Sequence, residues 1–165
     1  MLISDRHREL YRRYFDGRQV GAKENRFQPV VESLSRSIDA ASVIDYGCAD
    51  ASLSRHSSLP IVNYDPCVPE YSALPAPADL VVCLHVLEHV EADCVDAVLE
   101  HLRSLARKAV LLAVSTEAST KVLADGSPWH SFVRDADWWR GKLAGYVERP
   151  DLASRHAEYV ALLTC

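Results

Sequence analysis

Two rhythms of apolar residues alternate along this chain. Near the start, Leu10, Tyr11, Tyr14 and Phe15 recur at three- and four-residue steps behind Ser4, and the spacing predicts a short amphipathic helix with a serine N-cap. Gly17 and Gly21 interrupt it within FDGRQVGAKEN. Phe27, Val30, Val31, Leu34 and Ile38 then repeat at helical spacing, with Pro29 tolerated only in the first turn. From residue 42 the rhythm changes. Residues 42–46 and 61–65 read as short buried strands, and residues 52–58 between them leave room for about two helical turns. Residues 80–84 are apolar on both faces, as in the middle strand of a parallel sheet. Residues 94–107 return to helical spacing through Val95, Val98, Leu99, Leu102 and Leu105, and 109–115 form another buried strand. RDADWWRGKLAG reads as a helix closed by Gly145, and YVER and EYVALLTC as two final strands paired across PDLASRH.

That order defines an α/β fold, a sheet with helices on both faces. In such sheets ligands bind outside the carboxyl ends of the strands. Residues 45–49, Asp65 and 84–88 all fall at predicted strand ends, so polar and acidic groups converge on one edge. No repeat or linker divides the 165 residues, and 48% hydrophobic and 25% charged content suits one globular domain. Its expected parts are N-terminal helices over 1–40, a core over 41–115, and a loop, helix and terminal strands over 116–165.

Charge narrows the partners. Lys and Arg number 18 against 23 Asp and Glu, a net charge of −5, which weighs against a nucleic-acid surface in the absence of a partner chain. No apolar run reaches the roughly 18 residues of a membrane span. MLISDRHREL is charged too early for a signal peptide. Five scattered cysteines without a C-x-x-C pair read as reduced thiols, which places the protein in the cytoplasm. No metal is expected, because only His85 and His89 are closely spaced and the first ends a strand.

Three stretches resemble the class I S-adenosylmethionine-dependent methyltransferases. VIDYGCADASL, 43–53, is similar to the family's first motif, an acidic residue followed by G-x-G-x-G, although here the pattern reads Gly47, Ala49, Ala51. YDP, 64–66, resembles the acidic end of the second strand, and the thirteen residues ADLVVCLHVLEHV, 78–90, resemble the fourth-strand motif. LADGSPWHSFVRDADWW resembles a stretch of small, often phage-related members. Only 13 residues separate Asp65 from Asp79, so the expected fold is a Rossmann-like, mostly parallel sheet flanked by helices, reduced around the third strand, with a terminal antiparallel strand.

The resemblance implies S-adenosylmethionine as cofactor and S-adenosylhomocysteine as product. It assigns the backbone N–H groups of Gly47, Cys48 and Ala49 to the ligand and Asp45 to its ammonium. Asp65 takes the ribose hydroxyls, Pro66 lies under the adenine, and Leu84 and His85 face the methionine portion. Alanine at 49 and 51 is expected to avoid left-handed backbone angles. His130 and His85 are the candidate catalytic bases, since imidazole titrates near neutral pH. Glu88 and His89 suit a structural role in the loop. Trp129, Trp138 and Trp139 fit either the core or an acceptor pocket.

The expected reaction is methyl transfer to a small-molecule, sugar or nucleotide-linked acceptor. Three alternatives stay open: a methyltransferase subunit acting on nucleic acid or protein with a partner chain, a non-catalytic methyltransferase-like scaffold, and a nicotinamide-dependent enzyme. Homo- and hetero-oligomeric assembly are equally compatible with the sequence.

Overall fold

The computed structural model describes residues 1–16, 24–153 and 157–165. Helix α1 (Asp5–Phe15) begins where the Ser4 hydroxyl accepts a hydrogen bond from the His7 backbone N–H, and α2 (Gln28–Ser37) carries Pro29 in its first turn. Then come β1 (Val43–Tyr46), α3 (Ser52–His56), β2 (Ile61–Tyr64), β3 (Ala78–Leu84), α4 (Val95–Leu105) and β4 (Ala106–Ser115). Helix α5 (Ala136–Lys142), β5 (Val147–Glu148) and β6 (Glu158–Thr164) complete the chain. The break expected at Gly17 and Gly21 lies outside the described residues, as does part of the connection before β6.

The six strands lie in the order β2-β1-β3-β4-β6-β5. β1 to β4 are parallel, and β6 runs antiparallel to both β4 and β5. The third-strand region is reduced as expected: residues 66–77 hold only a 3₁₀ turn, Pro69–Tyr71, and β2 becomes the sheet edge. Pro66, Pro69, Pro75 and Pro77 explain this, because a proline has no N–H to give to a strand ladder. β4 starts earlier than its apolar run, at Ala106, because pairing with Ala78 draws Arg107 and Lys108 into the strand.

All seven residues of β3 are buried. Leu80, Val82 and Leu84 pack with Val31 of α2 and Leu53 of α3, whereas Val81 and Cys83 pack with Val98, Leu102 and Trp139 on the other face. This period of two puts a helix layer on each side of the sheet. β1 leads to β2 on one side while β3 lies on the other, so a crevice opens at their carboxyl ends. Cys48, Cys67, Cys83 and Cys94 are buried free thiols and Cys165 is exposed. Among the described residues no helix is long and apolar enough to cross a membrane.

Candidate active site

The crevice is a cavity of about 460 Å³, in the range of small-ligand sites. Its wall includes Asp45, Gly47, Cys48, Ala49, Asp65, Pro66, Leu84, His85 and His130, so the residues assigned to the cofactor and the two candidate bases meet in one place.

The turn after β1 allows only glycine at its first position. Gly47 has φ +78°, and a Cβ there would lie 2.4 and 2.8 Å from the two methyls of Val86. Ala49 and Ala51 depart from expectation: both are left-handed, with φ of 47° and 58°. Each conformation costs an alanine roughly 1–2 kcal/mol, a strain held in place by the surrounding turn.

The N–H groups of this turn also differ from expectation. Those of Gly47 and Cys48 donate to the Tyr64 carbonyl at 2.7 and 3.2 Å, and that of Ala49 donates to Asp65 Oδ2 at 3.0 Å. All three are spent stitching the turn to the end of β2, and the turn borders the cavity through small residues.

Asp65 is 5% exposed, and its Oδ1 accepts the Cys67 N–H at 2.8 Å. Burial pushes its pKa up, opposed by these backbone hydrogen bonds. A carboxylate has about four lone-pair sites, so Asp65 keeps capacity for a hydroxyl donor. Asp45 is also buried, at 6% exposure, at the end of β1. With Glu88, Glu117 and Glu158 these make five carboxylates around the cavity, against the basic groups of Arg26, Lys121 and His85. The balance favours a cationic ligand. The residues therefore fit S-adenosylmethionine: a strand-end carboxylate for hydroxyl donors, a turn where no Cβ fits, and an anionic wall for a sulfonium.

His85 sits in a cluster of charged side chains at the end of β3. It follows β3 with φ +57°, and its Nδ1 lies 3.0 Å from Glu88 Oε1 and its Nε2 3.1 Å from Glu158 Oε1. Burial alone would lower its pKa, but hydrogen bonds to Glu158 and Glu88 outweigh that and hold it up at about 9. Both ring nitrogens face carboxylates, and Arg26 Nη2 also lies 2.6 Å from Nε2. Arg26, from the 3₁₀ turn Glu24–Phe27, pairs with the same Glu158. Because the folded-state pKa is raised, the stability His85 contributes is complete below its ordinary value of 6.5 and is lost as pH rises through about 9. Urea unfolding from pH 6 to 10 is expected to show this fall, and His85→Gln to flatten it; an equal slope in the variant overturns the assignment.

The opposite wall comes from α1 and loop 116–134. Tyr11, Tyr14, Phe15, Glu117, Lys121, Trp129 and His130 line it. Trp129 stacks on Tyr14 with ring centroids 3.9 Å apart, and the Tyr11 hydroxyl donates to the Trp129 carbonyl. Of the three tryptophans only Trp129 reaches the cavity; Trp139 is fully buried among the α4 and β4 side chains and Trp138 packs against them. His130 Nδ1 lies 2.6 Å from the Glu117 carbonyl, which anchors the ring in the loop.

Glu88 and His89 tie this wall to the sheet. Glu88 Oε1 accepts the Ser115 N–H at 3.2 Å, and its carbonyl accepts the Phe132 N–H at 3.0 Å. His89 Nδ1 lies 2.8 Å from the Trp129 carbonyl, and burial pushes its pKa down to about 4. Sequence reasoning paired His85 with His89 and found no ligand set; the structure instead groups Glu88, His89 and His130. It also missed Arg26 and Glu158, distant positions with no motif around them. The aromatic face of α1 was visible as a stripe, but its partner Trp129 was not.

An α/β sheet with ligand-binding strand ends, a strained small-residue turn and acidic residues closing β1 and β2 define a nucleotide-cofactor enzyme of the class I methyltransferase type. A sequence profile described as a methyltransferase domain matches residues 8–156, and the chain belongs to that family, the S-adenosylmethionine-dependent methyltransferases. Solved structures share the fold. The DhpI–SAH complex has a TM-score of 0.65 at 19% identity, covering 96% of this chain and 97% of that one. The 1,6-didemethyltoxoflavin N1-methyltransferase of Burkholderia thailandensis has a TM-score of 0.62 at 14% identity, covering 94% and 87%. The methyltransferase domain of bacterial CtHen1 has a TM-score of 0.60 at 17% identity, covering 86% and 99%. No curated protein sequence matches the chain.

Proposed function

We propose that this enzyme methylates an oxygen or nitrogen of a small acceptor, such as a metabolite, a sugar or a nucleotide-linked compound. The observation that carries the reading is the single cavity shared by the strand-end residues on one side and by Trp129, Tyr14 and His130 on the other. The bound 1,6-didemethyltoxoflavin in the Burkholderia thailandensis structure supports an acceptor of that size. Residues 1–165 are read as one domain, in which 1–40 and 116–165 wall the acceptor side of the 41–115 core. Five free thiols suit a reducing compartment, the cytoplasm.

S-adenosylmethionine, when bound, supplies a methyl group already activated by a sulfonium. The protein's tasks are then to align the reactants, exclude water and remove the acceptor's proton. Asp45 is assigned to the ammonium, Asp65 to the ribose hydroxyls, Pro66 to the adenine face, and Leu84 and His85 to the methionine end. The turn of Gly47, Cys48 and Ala49 gives close approach through small side chains. His130 receives the proton. Because a carbonyl can only accept, the neutral ring carries its hydrogen on Nδ1 towards Glu117, which leaves the Nε2 lone pair open.

Calorimetric titration with S-adenosylmethionine, S-adenosylhomocysteine and NAD tests the reading. The first two are expected to bind and NAD is not. Asp65→Ala is expected to weaken binding by about 1.5–3 kcal/mol, the scale of lost hydrogen bonds to a charged group, or about 10- to 150-fold. Unchanged affinity in a folded Asp65→Ala protein removes Asp65 from the cofactor site.

A further inference from the structure

Glu88, His89 and His130 each offer one ligand atom, and these three atoms lie within 4.8 Å of one another. All three residues line the cavity. Glu88 and His89 come from the 3₁₀ turn Leu87–His89 that follows β3, and His130 comes from loop 116–134, which the Phe132 N–H ties to the Glu88 carbonyl.

The hydrogen bonds around the cluster leave the right atoms open. His89 Nδ1 faces the Trp129 carbonyl at 2.8 Å, and His130 Nδ1 faces the Glu117 carbonyl at 2.6 Å. A carbonyl oxygen has no proton to give, so each ring carries its hydrogen on Nδ1 and keeps a lone pair on Nε2. This is how metal-ligating histidines are held: the second nitrogen donates to a carbonyl or carboxylate, which fixes both tautomer and ring orientation. Glu88 supplies an independent observation. Its side chain is 1% exposed, its Oε1 is bonded to His85 and Ser115, and its Oε2 is buried without a hydrogen-bond partner. An unpartnered, buried carboxylate oxygen carries a large desolvation penalty, which a bound cation relieves.

We infer that Glu88, His89 and His130 form a binding site for one divalent first-row transition-metal ion, whose open coordination positions face the acceptor side of the cavity. Two imidazoles and one carboxylate are the donor set of such ions with room left for exogenous oxygen ligands. Bond lengths of about 2.0–2.2 Å place ligand atoms roughly 3–4 Å apart, so the three side chains close in by about 1 Å on binding. The site selects acceptors with a hydroxyl or carboxylate oxygen able to join the ion. That use of the ion rests on the methyltransferase reading above; the binding of the ion does not. With the ion bound, the Nε2 lone pair of His130 serves as a ligand instead of the base of the metal-free site, and the ion takes over the lowering of the acceptor's pKa.

The test uses the full chain, stripped with EDTA and titrated with Co²⁺ by visible absorption and with Zn²⁺ by calorimetry. One equivalent is expected to bind with micromolar or tighter affinity, and Co²⁺ to develop ligand-field bands. His130→Ala and Glu88→Gln are each expected to weaken binding at least 10-fold, while His56→Ala, at the end of α3 and outside the cavity lining, binds as wild type does. His130 is a partly exposed loop residue, so His130→Ala decides the matter even where Glu88→Gln does not fold. Failure of the wild type to bind one equivalent, or wild-type affinity in folded His130→Ala, overturns the site. The same preparation titrated with S-adenosylmethionine separates the two claims: cofactor binding without metal uptake sinks only the metal site, and metal uptake without cofactor binding sinks only the methyltransferase reading.

Discussion

Replacing His130 by alanine is expected to lower turnover roughly 10²–10⁴-fold while affinity for S-adenosylmethionine stays within a few-fold of wild type. The two effects separate because His130 stands on loop 116–134 and not on a strand end. It shares the cavity with Asp45 and Asp65, yet its Nδ1 is held by Glu117 on the far wall. Truncating the ring removes no core packing, since the ring is only partly buried, so the variant is expected to fold. Steady-state rates on a hydroxyl or amine acceptor, with calorimetry on the cofactor, check the result. A loss confined to acceptor KM or to thermal stability would reduce His130 to a loop-framework residue. Restoring activity of EDTA-treated wild type with Mn²⁺ or Co²⁺ distinguishes a metal ligand from a general base: a base needs no ion.

Gly47→Val is expected to abolish measurable cofactor binding, a loss of at least 100-fold, and to destabilise the fold. The new Cβ would stand 2.4 and 2.8 Å from the Val86 methyls, at a φ of +78°. Overpacking of this kind costs about 1–3 kcal/mol, and the left-handed angle adds roughly 1–2 kcal/mol. Val86 directly follows His85, itself held at φ +57°, so whatever moves Val86 disturbs the end of β3 as well. Urea unfolding and calorimetric titration measure the two losses. The double variant Gly47→Ala with Val86→Ala relieves the clash but not the angle, and is expected to recover part of the stability. Normal cofactor affinity in folded Gly47→Val would show that the turn is purely structural.

The acidic strand ends were legible because local rules place them. A strand, a glycine turn and a short helix sit within residues 43–56, and period-two burial in β3 is written directly in its apolar run. The missing third strand was equally local, since too few residues and four prolines leave it no length. The direction of the turn's N–H groups was not legible. Gly47, Cys48 and Ala49 donate to Tyr64 and Asp65, residues of the neighbouring strand, and no local rule says whether a donor meets a ligand or a strand end.

His85 shows the same limit from the side of charge. A histidine at a strand end suggests a base, but no local signal shows that Glu158, contributed by the last strand, stands beside it and holds its pKa up. By itself the sequence determined the order of elements, the parallel core and the edge on which the acidic strand ends gather, because these depend on periodicity, chain length and turn residues acting over a few positions. Only the tertiary structure decided which side chains share that edge. α1 lays Tyr11 and Tyr14 against Trp129, β6 brings Glu158 to His85, and loop 116–134 brings His130 to Glu88 and His89. Those meetings span tens of residues and are set by how helices and loops close over the sheet, and protonation and metal affinity follow from the neighbours they create.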